Sequence, residues 1–101
     1  MIYKYKLNIQ DLKLNQPIFI GDDLDPILVT LSKNGENHSV EIFSANCPHM
    51  GGPLNKGAIE GNQVTCPWHG CKFDMVSGKG LSRLCLVRLD SLIEDGYLYV
   101  F

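Results

Sequence analysis

Two short segments, Cys47-Pro48-His49 and Cys66-Pro67-Trp68-His69, constrain this 101-residue chain more than anything else in it. Each offers one thiol and one imidazole in a turn-rich stretch, and sixteen residues separate His49 from Cys66. Thiolates are soft ligands that suit zinc and iron–sulfur clusters, and neutral imidazole suits several metals. Four such donors fit one tetrahedral ion. They also fit a two-iron cluster with both sulfurs on one iron and both nitrogens on the other. Zinc sites usually place two cysteines on one arm and two histidines on the other; here the types are mixed on each arm, which zinc tolerates but does not favour. Two buried thiols and two structural histidines with no metal is the plainest alternative, and it leaves the repeated pairing without a reason.

The rest of the composition narrows the class. Hydrophobic residues make up 45% of the chain, enough for a packed core in a single domain over residues 1–101. The formal net charge is −2 and there is no basic stripe, so nucleic acid is not an expected partner. A mildly acidic surface suits the orientation of a basic protein partner. The N-terminal run Ile2-Tyr3-Lys4-Tyr5-Lys6-Leu7 is interrupted by lysines and lacks the apolar stretch of a secretion signal. No run of about 18 apolar residues occurs, so no membrane-spanning helix is expected. The expectation is a soluble cytoplasmic monomer. With no secretion signal, the four cysteines (47, 66, 71 and 85) read as metal ligands or free thiols rather than disulfides.

Periodicity points to an all-β chain. Ile2 to Ile9 alternates apolar and polar, as a half-buried strand does. Asp11 to Gln16 reads as one helical turn or a loop. Ile18-Phe19-Ile20, Ile27 to Leu31, and Val40 to Phe43 read as strands, the last two paired across a turn at Asn34-Gly35. Ala58-Ile59-Glu60 and Gln63-Val64-Thr65 flank the turn Gly61-Asn62, and Phe73-Asp74 leads into another short strand. Leu84 to Leu89 and Tyr97 to Phe101 are the last expected strands, with Asp95-Gly96 turning before the end. Strand-rich flanks thus enclose a loop-rich insert, residues 45–82. Both Cys/His pairs lie there, in loops that a rigid β scaffold would hold.

At this point the chain resembles a known family. The stretch Cys47-Pro48-His49-Met50-Gly51-Gly52-Pro53-Leu54, then Gly57, Gly61, Cys66-Pro67-Trp68-His69-Gly70-Cys71-Lys72-Phe73-Asp74 and Ser77-Gly78, is similar to the Rieske-type ferredoxins of bacterial ring-hydroxylating dioxygenase systems and to the Rieske domains of the oxygenases. The resemblance implies the Rieske fold, a small antiparallel β-sandwich with a loop-rich cluster-binding subdomain. It implies one Rieske-type 2Fe–2S cluster, with Cys47 and Cys66 on the inner iron and His49 and His69 on the outer iron near the surface. It implies a one-electron carrier, not itself an enzyme, passing electrons from a flavin-dependent reductase to a terminal oxygenase. No nucleophile with a positioned base is apparent elsewhere. The small subunit of an assimilatory nitrite reductase is the alternative of the same class, and a zinc-stabilised binding module is the alternative of another.

Two comparisons within the family refine that expectation. High-potential Rieske proteins carry a cysteine three residues after the first histidine and another just before the second, joined in a disulfide. The matching positions here are Gly52 and Trp68, so that bridge cannot form. High-potential forms also place a serine and a tyrosine where this chain has Cys71 and Phe73, which are a weak donor and no donor. Fewer donors stabilise the reduced cluster less, which places the expected potential at the low end of the range, about −150 mV. The chain departs from the family in Gly80-Leu81-Ser82-Arg83-Leu84, which lacks the proline of the usual covering loop.

The other candidates have bland readings. His38 reads as an ordinary surface histidine and Cys85 as a small buried hydrophobe in a strand. Cys71 is not expected to be a fifth ligand. Trp68, Met50 and Pro53 read as loop packing or as an apolar docking ring. Asp22-Asp23-Leu24-Asp25 lacks calcium-loop spacing and reads as a solvated turn. Tyr97 and Tyr99 read as packing residues.

Overall fold

The computed structural model describes residues 3–21, 25–48, 51–68, 70–80 and 85–101. Nine strands follow one another among these residues: β1 Tyr5–Asn8, β2 Ile18–Ile20, β3 Ile27–Asn34, β4 Asn37–Ser44, β5 Ala58–Glu60, β6 Gln63–Thr65, β7 Lys72–Asp74, β8 Ser91–Glu94 and β9 Tyr97–Val100. Two single 3-10 turns, Ile9–Asp11 and Leu54–Lys56, are the helical content of the described residues. The strands form three antiparallel sheets with orders β1-β9-β8, β2-β3-β4 and β5-β6-β7. The all-β expectation holds.

The middle sheet explains the layering. Ile27, Leu28, Val29 and Thr30 are all buried, a continuous run that only a strand covered on both faces tolerates. Side chains alternate along β3, so Ile27 and Val29 face one way and Leu28 and Thr30 the other. On the first face Ile27, Val29 and Ile42 meet Leu98 and Val100 of the β1-β9-β8 sheet, which closes a two-sheet sandwich. On the second face Leu28 and its cross-strand partner Phe43 meet Leu54, Val64, Phe73, Met75 and both Cys47 and Cys66. The region that carries both Cys/His segments is thus the third layer, seated on the back of β3 and β4. Thr30 Oγ1 adds a buried hydrogen bond across that joint, donating to the Met75 carbonyl at 3.2 Å.

The turns follow their residue types. The β8–β9 hairpin closes through Asp95 and Gly96, both at positive φ (52° and 80°), as a two-residue turn of this hand requires. Gly78 holds φ +78°, and a side chain there would strike the Phe43 ring. Arg88 lies with its guanidinium 4.9 Å from the Phe43 centroid and is paired to Glu41, two residues before Phe43 on β4.

The expected strand at Leu84 to Leu89 is not formed by its described residues, 85–89. This segment crosses between layers. Leu86 N–H donates to the Gly78 carbonyl of the third layer, while Leu89 N–H donates to Ile42 of the middle sheet. Leu86 and Leu89 consequently enter different cores, which one ladder could not allow. Cys85 and Arg88 make only isolated bridges, to Lys79 and Phe43. Cys85 is exposed, not buried as its apolar neighbours suggested. The strand forms instead at Ser91–Glu94, where all four residues are exposed and apolar periodicity gives little signal. Tyr99 packs edge-on against Tyr3 with centroids 5.0 Å apart, and Lys6 lies 4.4 Å over the Tyr97 ring. Asp25 pairs with Lys4 at 2.8 Å, in keeping with a solvated turn; Asp22, Asp23 and Leu24 lie outside the described residues, as does the His38 side chain.

Candidate metal centre

The two cysteine loops are built alike. In the first, Cys47 N–H donates to the Gly52 carbonyl at 2.8 Å and Gly51 N–H donates back to the Cys47 carbonyl at 2.7 Å. In the second, Cys66 N–H donates to the Cys71 carbonyl at 2.7 Å and Gly70 N–H donates to the Cys66 carbonyl at 3.0 Å. Both pairs thus run between the cysteine and the residues four and five places on. Proline follows the cysteine in each loop, at Pro48 and Pro67, and pre-sets the turn. Gly51 and Gly70 take nearly the same left-handed φ, +75° and +72°, which a side chain rarely adopts.

Different elements hold the two loops at one place. The first loop springs from an arm in which Ala45 O accepts from Leu54 N and Asn46 bridges Pro53. The second is the tip of the β6–β7 hairpin, just beyond the Thr65–Lys72 pair. Cys47 and Cys66 are each 1% exposed and belong to the same core. No described cysteine is in a disulfide. Gly52 closes the distance between the loops: a Cβ there would lie 2.6 Å from Cys66 Sγ and 3.3 Å from the Trp68 indole. The bare backbone of the first loop therefore rests against the sulfur and the ring of the second. Pro67, Gly70 and Trp68 face outward, Trp68 with 58% of its surface exposed.

This donor set fits an iron–sulfur cluster. Two thiols are buried in one apolar enclosure, where a thiolate is costly unless a metal holds it. Of the four predicted ligands the described residues include Cys47 and Cys66; His49 and His69, with Met50 and residues 81–84 of the proline-free segment, lie outside them. Cys71 is half-buried and packs against the cysteine core, and Phe73 is buried within it, so neither adds a strong hydrogen-bond donor there. The steric part played by Gly52 was missed at the level of sequence. Its only signal was the doubled glycine Gly51-Gly52, of which the second has an ordinary φ and is bare for want of room.

The three-layered fold and paired cysteine loops define a class, the Rieske-type ferredoxin fold. The ferredoxin of carbazole 1,9a-dioxygenase from Nocardioides aromaticivorans IC177 superposes with a TM-score of 0.63 at 23% identity, covering 99% of this chain and 97% of that one. A ferredoxin in complex with reduced oxygenase in carbazole 1,9a-dioxygenase superposes at 0.58 and 22% identity, covering 94% of this chain and 91% of that one. A protein assigned as a nitrite reductase (NADPH) small subunit superposes at 0.61 and 15% identity, covering 100% of this chain and 99% of that one. The chain belongs to the Rieske [2Fe-2S] domain family, whose sequence model matches residues 6–92. Its cofactor is accordingly one Rieske-type 2Fe–2S cluster.

Curated relatives share the domain but not the length. Apoptosis-inducing factor 3 of Homo sapiens is 39% identical over 51 residues, 50% of this chain and 8% of that protein. The 4beta-methylsterol monooxygenase of Methylococcus capsulatus is 39% identical over 64 residues, 54% of this chain and 16% of that protein. The chain therefore spans well under a fifth of these relatives. No helix among the described residues is long and apolar enough to cross a membrane.

Proposed function

We propose that this chain is a one-electron carrier of the low-potential Rieske type, with Cys47 and Cys66 as thiolate ligands and His49 and His69 as imidazole ligands. In this reading residues 45–82 form the cluster-binding part of a single domain, and the partners are a flavin-dependent reductase and a terminal oxygenase. The observation that carries it is the matched pair of loops, with both cysteines buried in one core.

The bound cluster supplies one reversible electron; the residues of the chain supply its setting. Cys47 and Cys66 hold the buried side. Their own N–H groups are occupied by Gly52 O and Cys71 O, which fixes each loop's closure. Phe43, Phe73, Leu54 and Met75 exclude water behind the sulfurs. Imidazole ligands carry less negative charge than thiolates, so the electron is accepted more readily than at an all-cysteine site. The absence of hydroxyl donors at Cys71 and Phe73 places the potential near about −150 mV.

Electron paramagnetic resonance of the dithionite-reduced protein tests this reading. A Rieske centre gives an average g value well below that of an all-cysteine cluster. His49→Ala or His69→Ala should abolish the signal; an unchanged spectrum in both refutes the ligand set. About one zinc and no sulfide per chain refutes the carrier outright. The nitrite-reductase alternative draws support from the full-length overlap with the assigned small subunit. Stable co-purification with a large catalytic subunit would favour it over a free carrier.

A further inference from the structure

We infer that the electron-exchange end of this protein docks a partner that presents an acidic face, although the chain as a whole is negative. The inference deepens the function proposed above and rests on it.

The charges are sorted by the third sheet. Ala58, Thr65 and Lys72 form the row next to the second cysteine loop, whereas Glu60, Gln63 and Asp74 form the row at the far end. Both carboxylates thus lie away from the loops. Asp74 is further engaged in its own turn, where Oδ1 accepts from Val76 N at 2.8 Å and Ser77 N at 2.8 Å. The first loop repeats the pattern. Lys56 ends the 3-10 turn whose Leu54 is buried beside Cys47. Along the sequence, Lys56 is the sole Lys, Arg, Asp or Glu within residues 42–59, and Lys72 the sole one within 61–73. Both loops therefore sit in stretches of net positive charge within a chain of net −2. Lys56 and Lys72 are exposed.

The same end presents Trp68, 58% exposed and backed by Gly52, with Pro67 beside it. An exposed indole on an end whose adjoining strand row carries Lys72 is an apolar anchor beside a cation, the arrangement that complements a recess edged by carboxylates. Rim charges of this kind set the rate and salt dependence of encounter rather than its tightness. A second copy of this chain fits poorly, since it would bring lysines against lysines.

Small one-electron oxidants read the sign of that field without a protein partner. The reduced holoprotein is mixed with ferricyanide, a trianion, or with hexaammineruthenium(III), a trication; one electron leaves the protein and reduces one oxidant. Lowering ionic strength from about 0.15 M to about 0.01 M should speed the anion and slow the cation. A field set by the overall negative charge predicts the reverse, and that result overturns the inference. Lys72→Glu should slow the ferricyanide reaction by about three- to tenfold at low salt, with unchanged g values; an unaltered rate also overturns it. Sedimentation showing a dimer that Trp68→Ala dissolves would assign the face to a second copy and overturn it as well. Failure of the underlying reading looks different: no Rieske signal on reduction, and no stoichiometric oxidation by either reagent.

Discussion

Gly52→Ala probes the contact between the two cysteine loops with a single methyl group. The backbone imposes no penalty, because Gly52 is not among the glycines at positive φ. In the unfolded chain alanine is even favourable, by about 0.4–1 kcal/mol. The cost is wholly steric. The new carbon would lie 2.6 Å from Cys66 Sγ and 3.3 Å from the Trp68 ring, against a comfortable separation of about 3.5–4.0 Å. Trp68 is exposed and can swing aside. Cys66 cannot, because it is 1% exposed and its core holds Leu28, Phe43, Val64 and Phe73. Overpacking of this kind costs about 1–3 kcal/mol, leaving a net loss centred on about 1.3 kcal/mol after the gain in the unfolded state. For a domain of this size that is a fall in Tm of about 5–10 °C. The loss should be larger with the cluster bound than without it, since a coordinated sulfur has less freedom to retreat. Differential scanning calorimetry of apo and holo forms, with iron and sulfide assays and the reduced-state spectrum, measures each part. Equal Tm values and identical g values for variant and wild type would show that the first loop does not bear on Cys66.

Three other perturbations have definite signs. Thr30→Val removes the buried donor to the Met75 carbonyl, 3.2 Å away, and should cost about 1–2 kcal/mol in urea unfolding with no change in g values. Cys71→Ser places a true hydroxyl beside the cysteine core and should raise the midpoint potential by about 40 mV, the equivalent of one ordinary hydrogen bond; an unchanged voltammetric midpoint means that this side chain does not reach the sulfurs. The hydrogen bond to Asp25 raises the Lys4 pKa above its usual 10.5, so its stabilisation is complete below that value and fades as pH rises through the folded value. Both partners are exposed, so Lys4→Met should lower stability by less than about 1 kcal/mol at neutral pH; a gap from wild type that widens, rather than closes, as pH rises past 10.5 contradicts the pairing.

Legibility in the sequence followed the reach of each signal. Ile18–Ile20, Ala58–Glu60 and Gln63–Thr65 form over the residues expected, because a short apolar run or a flanking turn marks each of them locally. Ser91–Glu94 was missed because its strand state comes from β9 across the Asp95-Gly96 turn and not from burial of its own side chains. Residues 85–89 failed in the opposite sense. Leu86 and Leu89 look like one apolar face but serve two cores on either side of the middle sheet, a fact of tertiary layering. The burial of Cys47 and Cys66 is not legible in the Cys-Pro motif itself; an inner position for them came only as an implication of the family resemblance. The closeness of Gly52 to Cys66 is not legible either, since it depends on how the arm around Ala45 and the β6–β7 hairpin are set against each other.

That last contact bears on how the centre is kept together. The positions that would carry a loop-tying disulfide in high-potential relatives are Gly52 and Trp68, and here the indole lies against the bare backbone of Gly52. A covalent tie has thus been replaced by a packing contact, which constrains the loops only while both stay folded on the β3–β4 platform. The platform is the stable part: Leu28, Phe43 and the Thr30–Met75 hydrogen bond hold the cluster-binding layer from behind. Among the described residues, four backbone hydrogen bonds and two buried sulfurs order the loops. Coordination should therefore contribute a large share of loop order, since metal binding free energy becomes folding free energy where the ligands are otherwise loosely tied. Amide exchange in the apoprotein should then be fast at Gly51 and Gly70 and slow at Val29 and Ile42, and loading the cluster should slow the first pair far more than the second. Equal protection of all four amides in the apoprotein would mean that the loops are self-supporting and that the glycine–indole contact suffices without the metal.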